Sequence, residues 1–346
     1  MSMPPHGKLG PVVTLAHGGG GRAMNDLIQE VFLHRFGTRG GVEDQARMPL
    51  ADMIARGDRL AFSTDSYVVD PLFFPGGDIG LLAVNGTVND LAVGGAQPLV
   101  LSCAVILEEG LSIDLLHRVA ESMQRAAAQA GVTIVTGDTK VVNRGAADKM
   151  FITTAGIGVI AAGVNIAAAR AQPGDAILIN GAIGDHGATI LKARGGLEID
   201  AELSSDTQPL NTLVQAVLSV CPDIHCLRDA TRGGLATVLN EFALASSVAM
   251  CIDEAHVPVR DEVRGVCAIL GLDPMYFANE GKLVAVVPAM HAQDVLAAMR
   301  AHPAGAMAAI IGRVERSPAG VVTMRTRFGG DRIVDTLVGE QLPRIC

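Results

Sequence analysis

Four aspartates stand where strand-like runs end or glycines gather. Asp65 lies in Ser63-Thr-Asp-Ser, Asp90 in Thr87-Val-Asn-Asp, Asp138 in Thr136-Gly-Asp-Thr-Lys, and Asp229 in Arg228-Asp-Ala-Thr-Arg-Gly-Gly. Carboxylates at strand ends can converge on a hard cation such as Mg²⁺, which binds phosphates alongside them. Glycines beside them let phosphate oxygens approach backbone N–H groups. One such Asp alone is ordinarily a cap or a solvated charge; four in this context point to a phosphate site. A glycine run, Gly18 to Gly21, follows His17. It is not a Walker A loop, because no Gly-Lys-Ser/Thr follows. The final residue is Cys346, and a thiolate is a good nucleophile and carrier. By position alone a terminal Cys is incidental more often than not.

The elements that must position these residues are legible in outline. Met24, Leu27, Ile28, Val31 and Phe32 recur at helical spacing after the glycine run. Leu60 to Asp65 reads as a strand, as do Leu101 to Leu107, Val132 to a stop at Gly137-Asp138, and Phe151 to Ile160. Ser112 is placed to cap a helix that ends at Gly131. Gln172-Pro-Gly-Asp is a turn, and a new strand starts at Ala176. Leu210, Leu213, Val214, Val217 and Leu218 mark one later helix. Leu235, Val238, Leu239 and Phe242 mark another, and Lys282 to Val287 is a strand. The class is α/β (α+β) in two domains, 1–168 and 169–337. Residues 338–346 form a tail without helical or strand period. Fully extended, it spans roughly 30 Å, enough to move between a surface and a distant site.

Composition narrows the function. With 346 residues and 49 % apolar content there is material for two cores, built from aliphatic side chains because aromatics are only 3 %. The net charge of −9 disfavours phosphate backbones and anionic membranes as partners, so nucleic acid and membrane are both unexpected. Six scattered cysteines without a C-x-x-C pair suit a reducing cytoplasm. Met1 to Gly10 lacks the apolar core of a signal peptide. Met150 to Ala169 is uncharged and about bilayer length, but its glycines, threonines and Asn165 read as a buried strand and a turn.

Several segments together are specific. Asp65-Ser-Tyr-Val-Val-Asp-Pro-Leu-Phe-Phe-Pro-Gly-Gly-Asp-Ile-Gly, Gly86-Thr-Val-Asn-Asp-Leu-Ala-Val, Gly137-Asp-Thr-Lys-Val-Val, Gly184-Asp-His-Gly, Arg228-Asp-Ala-Thr-Arg-Gly-Gly, Ala278-Asn-Glu-Gly-Lys and the ending Pro343-Arg-Ile-Cys resemble the HypE family. The resemblance runs from about His17 to the last residue. That family belongs to a superfamily with aminoimidazole ribonucleotide synthetase, thiamin-monophosphate kinase and selenophosphate synthetase. Many relatives carry a Ser within the glycine run; here it is all Gly, which keeps the backbone donors.

The resemblance implies a homodimer joined through the N-terminal domains and ATP bound with Mg²⁺. It makes Asp44, Asp65, Asp90, Asp138 and Asp229 metal candidates. It makes His17, Gly19, Gly20, Asn89 and Thr139 nucleotide-site candidates along with those aspartates from Asp65 onward. It implies an ATP-dependent carbamoyl dehydratase of hydrogenase maturation. The HypF carbamoyltransferase would load Cys346, the S-carbamoyl group would become a thiocyanate, and the cyanide would pass to iron on a HypC–HypD complex. Glu280 is the candidate base and Lys140 the candidate for stabilising charge on the phosphoryl or amide oxygen; His17 and His186 are further candidates for proton handling. Three other readings compete: another ATP-using enzyme of the superfamily, a carrier that only displays Cys346, and a small-molecule enzyme with an idle tail. A selenophosphate synthetase would offer a Cys near the glycine run, and none precedes Cys103.

Overall fold

The computed structural model describes residues 9–37, 43–195, 200–337, 339 and 345–346. The expected tail falls mostly on 338 and 340–344, outside the described residues.

The N-terminal half opens on α1 (Arg22–Leu27), a π-helical turn (Ile28–Leu33) and α2 (His34–Phe36), then α3 (Leu50–Ile54). Its sheet uses β1 (Arg59–Tyr67), β4 (Ala96–Glu108), β5 (Thr133–Val142) and β6 (Met150–Ile160) in the order β1-β6-β4-β5; a small hairpin, β2 (Phe73–Phe74) and β3 (Gly77–Asp78), follows β1. Only β4 and β5 run parallel. The strand expected to stop at Gly137-Asp138 continues to Val142. Gly137 permits it: a Cβ there would lie 2.2 Å from the Cys103 carbonyl oxygen, so glycine lets the two strands close up.

Two helices cover this sheet in sequence, α4 (Ile79–Val93) and α5 (Ile113–Ala130). Asp78 caps α4 by accepting from the Gly80 and Leu81 N–H groups. α4 is buried nearly all round, because β1, β4, β6 and α5 enclose it on one side and α7 and β8 of the other half on the other. α5 is amphipathic; Ser112 caps it and Gly131, at φ 71°, ends it.

The C-terminal half contains β7 (Ala176–Ile179), α6 (Asp185–Ala193), α7 (Asn211–Val220), β8 (Cys226–Asp229), α8 (Gly234–Ser246) and β9 (Ala249–Asp253). It continues with α9 (Asp261–Leu270), β10 (Leu283–Val287), α10 (Ala292–Ala301), β11 (Ala309–Glu315), β12 (Val322–Arg325) and β13 (Asp331–Ile333). The seven strands order as β13-β12-β9-β11-β7-β10-β8. β7 and β10 are buried on both faces, which is why each reads as a continuous apolar run. α8 packs against one face, while α7 and α10 pack with the other. The uncharged stretch from Met150 is β6 and the crossing between the sheets. Among the described residues no helix is long and apolar enough to cross a membrane.

Candidate active site

The crevice between the two halves gathers side chains from distant parts of the chain. Asp65 comes from β1, Asp90 from α4 and Asp229 from the end of β8. With Thr64, Thr231 and Arg232 they line a polar cavity of about 310 Å³. The Ser63 hydroxyl donates to Asp90 Oδ2 at 2.7 Å. Burial pushes Asp229 up to about 7, with Asp90 and Asp65 adding repulsion. Burial also raises Asp90, against the Ser63 hydrogen bond. Carboxylates destabilised by burial and by one another are suited to an added cation.

The donors in this group are all oxygen, the chemistry of Mg²⁺. Among the described residues no three His, Cys, Asp or Glu side chains converge tightly enough to hold an ion alone. Mg²⁺ binds through one or two carboxylates and completes its shell with water and phosphate.

Glu280 lies behind these carboxylates, in the turn before β10. It is almost wholly buried and its Oε1 has no hydrogen-bond partner. Burial raises its pKa well above the ordinary value, and Asp206, Asp229 and Asp65 push the same way. Asp206 builds the turn. Its carboxylate accepts from the Glu280 and Gly281 N–H groups, each at 3.1 Å, and pairs with Lys282 at 2.8 Å. Burial alone would raise Asp206, but Lys282 overrides it and holds the carboxyl below its ordinary value. Nothing in its local sequence marks Asp206, since the partners lie more than 70 residues away.

Cys346 arrives at the same place. The Val68 N–H, one residue beyond β1, donates to its main-chain oxygen at 3.1 Å. Ile345 is buried in the N-terminal core. Burial pushes the Cys346 thiol up to about 12, with Glu280 the strongest charge acting on it and Arg232 opposing.

Other candidates stand elsewhere. Asn89 is committed to backbone: it donates to Gln208 and Glu280 carbonyls at 3.1 and 3.5 Å and accepts from the Leu210 N–H at 2.7 Å. It ties α4 to the second half beneath Asp90. His17 accepts from the Thr14 N–H at 2.9 Å and closes a short turn. The glycine run then presses on β5: a Cβ on Gly18 would sit 2.9 Å from the Val141 Cβ, and Gly20 takes φ 73°. Asp138 and Lys140 pair at 2.7 Å on β5, and Lys140 holds Asp138 below its ordinary value. Asp138, Thr139 and Asp44 line a second cavity, of about 930 Å³, with Met24, Ile28 and Phe36.

The predicted residues therefore form two groups in one chain. Asp65 pairs across the sheet with Thr154, Thr154 with Cys103, and Cys103 with Gly137. Three strand spacings, about 14 Å, separate the Asp65 edge from the Asp138 edge.

Comparison with known proteins decides the family. Residues 43–160 match the family model of the AIR synthase related protein, N-terminal domain, and 172–325 that of its C-terminal domain. Over 334 residues the chain is 58 % identical to the carbamoyl dehydratase HypE of Rhodobacter capsulatus, covering 96 % of this chain and 98 % of that one. The chain belongs to the HypE carbamoyl dehydratase family. HypE of Escherichia coli K12 is 52 % identical over 336 residues, covering 96 % and 99 % of the two chains. A solved HypE in complex with ATP is 53 % identical with a TM-score of 0.91, covering 96 % of this chain and 99 % of that one. HypE in a HypE–HypF complex is 47 % identical with a TM-score of 0.78, covering 80 % and 90 %. The two-domain α/β arrangement expected from the sequence is the arrangement of HypE.

Proposed function

We propose that this chain uses ATP to dehydrate an S-carbamoyl group on its own Cys346 to a thiocyanate, the source of the cyanide ligand on the iron of a NiFe-hydrogenase. The observation that carries this reading is Cys346 held in the crevice by the Val68 N–H, where Glu280, whose buried Oε1 has no partner, is the strongest charge acting on its thiol. A carbamoyl group on the Cys346 sulfur brings N–H donors to that vacant acceptor.

The steps follow from the groups present. An amide oxygen leaves poorly, so the carbamoyl oxygen attacks the γ-phosphorus of ATP and ADP departs. One N–H proton passes to water as the C=N bond forms. The second goes to Glu280 while the C–O bond breaks, phosphate leaves and the C≡N bond closes. Burial makes Glu280 a stronger base than a free carboxylate, and its ionised form is the working form. Asp65, Asp90 and Asp229 would hold Mg²⁺, which supplies charge neutralisation for phosphoryl transfer. The HypE structures with ATP and with HypF support ATP as co-substrate and HypF as a partner, which would load Cys346. A HypC–HypD complex would take the cyanide, in the cytoplasm.

The remaining candidates join the site through a second copy of the chain. Lys140, Asp138, Thr139, Asp44 and the glycine run lie at the sheet edge away from Cys346. The uncovered sheet face carries Leu60, Phe62 and Ile106, with Phe62 71 % exposed, as a homodimer through the N-terminal halves requires. The β5 edge of one chain would then complete the carboxylate site of its partner, with Lys140 neutralising charge on the phosphoryl or amide oxygen.

Glu280→Gln tests the chemistry. The variant should bind ATP with native affinity and leave carbamoylated Cys346 intact, a loss of at least about 100-fold in rate, the usual weight of a general base. Unimpaired water loss in this variant would remove Glu280 from the mechanism.

A further inference from the structure

The last two residues are held from both halves of the molecule. His186, the second residue of α6, is fully buried. Its Nε2 lies 2.6 Å from the Ile345 carbonyl oxygen and its Nδ1 2.8 Å from Ser205 Oγ. A carbonyl oxygen only accepts, so Nε2 carries the proton. Nδ1 then accepts from the Ser205 hydroxyl, and Ser205 Oγ in turn accepts from the Thr207 N–H at 3.2 Å. Every donor in this relay has one direction. Burial lowers the His186 pKa and keeps the ring neutral, the state the relay needs. The Phe74 ring stands edge-on to the imidazole, with centroids 5.5 Å apart at 81°. From the other half, the Val68 N–H holds the Cys346 main-chain oxygen, while the Ile345 side chain enters the N-terminal core.

This seat serves one task and opposes another. A thiol pushed up to about 12 is almost wholly protonated at neutral pH and a poor nucleophile. We propose that His186 is a positioning residue: through its Nε2–H on the Ile345 carbonyl it clasps the last two residues so that Cys346 is held in the crevice that contains Glu280. The functional consequence rests on Cys346 being the carbamoyl carrier; the clasp itself does not. His186 thus acts on the peptide backbone of the tail, which replaces the proton-handling role considered from the sequence.

Alkylation of the full chain by iodoacetamide, without nucleotide and read by mass spectrometry of each cysteine peptide, tests the clasp. Cys251 is the other half-exposed thiol and serves as internal control. His186→Ala should alkylate Cys346 about tenfold faster, the weight of one buried neutral hydrogen bond, with Cys251 unchanged. His186→Gln, whose side-chain amide can offer an N–H to the same carbonyl, should stay near the native rate. If His186→Ala fails to fold, which a rise at Cys251 would reveal, Ser205→Ala carries the test, because it removes the acceptor's partner that orients the ring. On carbamoylated protein, His186→Ala should slow ATP-dependent water loss while loading by the transferase does not fall; a merely structural residue would slow both. Native alkylation of Cys346 in both His186→Ala and Ser205→Ala would overturn the clasp. Faster alkylation together with no dehydration by the native chain would support the clasp and overturn the dehydratase reading instead.

Discussion

Asp229 ends β8 inside the crevice with its carboxyl pushed up to about 7. An unfolded aspartate titrates near about 3.9. Between those values the folded chain binds more protons than the unfolded one, so this residue makes stability fall as pH rises from about 4 to about 7. Asp229→Asn removes that effect. In the absence of Mg-ATP, the variant should melt at a higher temperature than the native chain at pH 8, with the gap closing towards pH 4. It should also bind Mg-ATP more weakly. Calorimetric melts at the two pH values check the sign; an equal gap at both would show that Asp229 is ionised in the fold without strain. Asp65, Asp229 and Glu280 are legible as candidates because each stands near a strand end or beside a glycine, whereas Asp90 lies inside α4 and is marked only by its segment Gly86-Thr-Val-Asn-Asp. Asp206, Tyr67 and Ser205 are not legible. Tyr67 ends β1, with its hydroxyl against Gly86, where a Cβ would come within 2.1 Å, and no local spacing announces such a pair.

At the scale of elements, the helices and strands were legible where one face meets solvent or a cap is present. α5 shows this best, with Ser112 at one end, Gly131 at the other and a single apolar face. α4 shows the reverse. Enclosed on all sides, it has no apolar stripe to read, although it supplies Asp90 to the cavity and Asn89 to the joint between halves. The strand β5 overran its expected stop because its end is set by pairing with β4 through Gly137, a contact across some thirty residues of sequence. The opening helix likewise contains a π-helical turn that apolar periodicity does not distinguish. The same limit applies to the site: the glycine run sits on β5, away from β1 and β8, and strand order is a property of the sheet that single segments do not carry.

Over the whole molecule, one chain carries its two groups of candidates on opposite edges of the N-terminal sheet, three strand spacings or about 14 Å apart. If a second copy completes each site, chains broken in different clusters should complement one another. Lys140→Ala and Cys346→Ala, each inactive alone, should recover roughly a quarter of native water loss when mixed and allowed to re-pair, since half the pairs are mixed and each has one complete site. No recovery would place Lys140 outside the shared site. The most direct test of the account is intact-mass measurement of carbamoylated protein before and after Mg-ATP, with Cys346→Ala as control. The account predicts one carbamoyl group gained on Cys346, then one water lost only when Mg-ATP is present, and neither change in the variant; a carbamoylated native chain that keeps its full mass through Mg-ATP would contradict it.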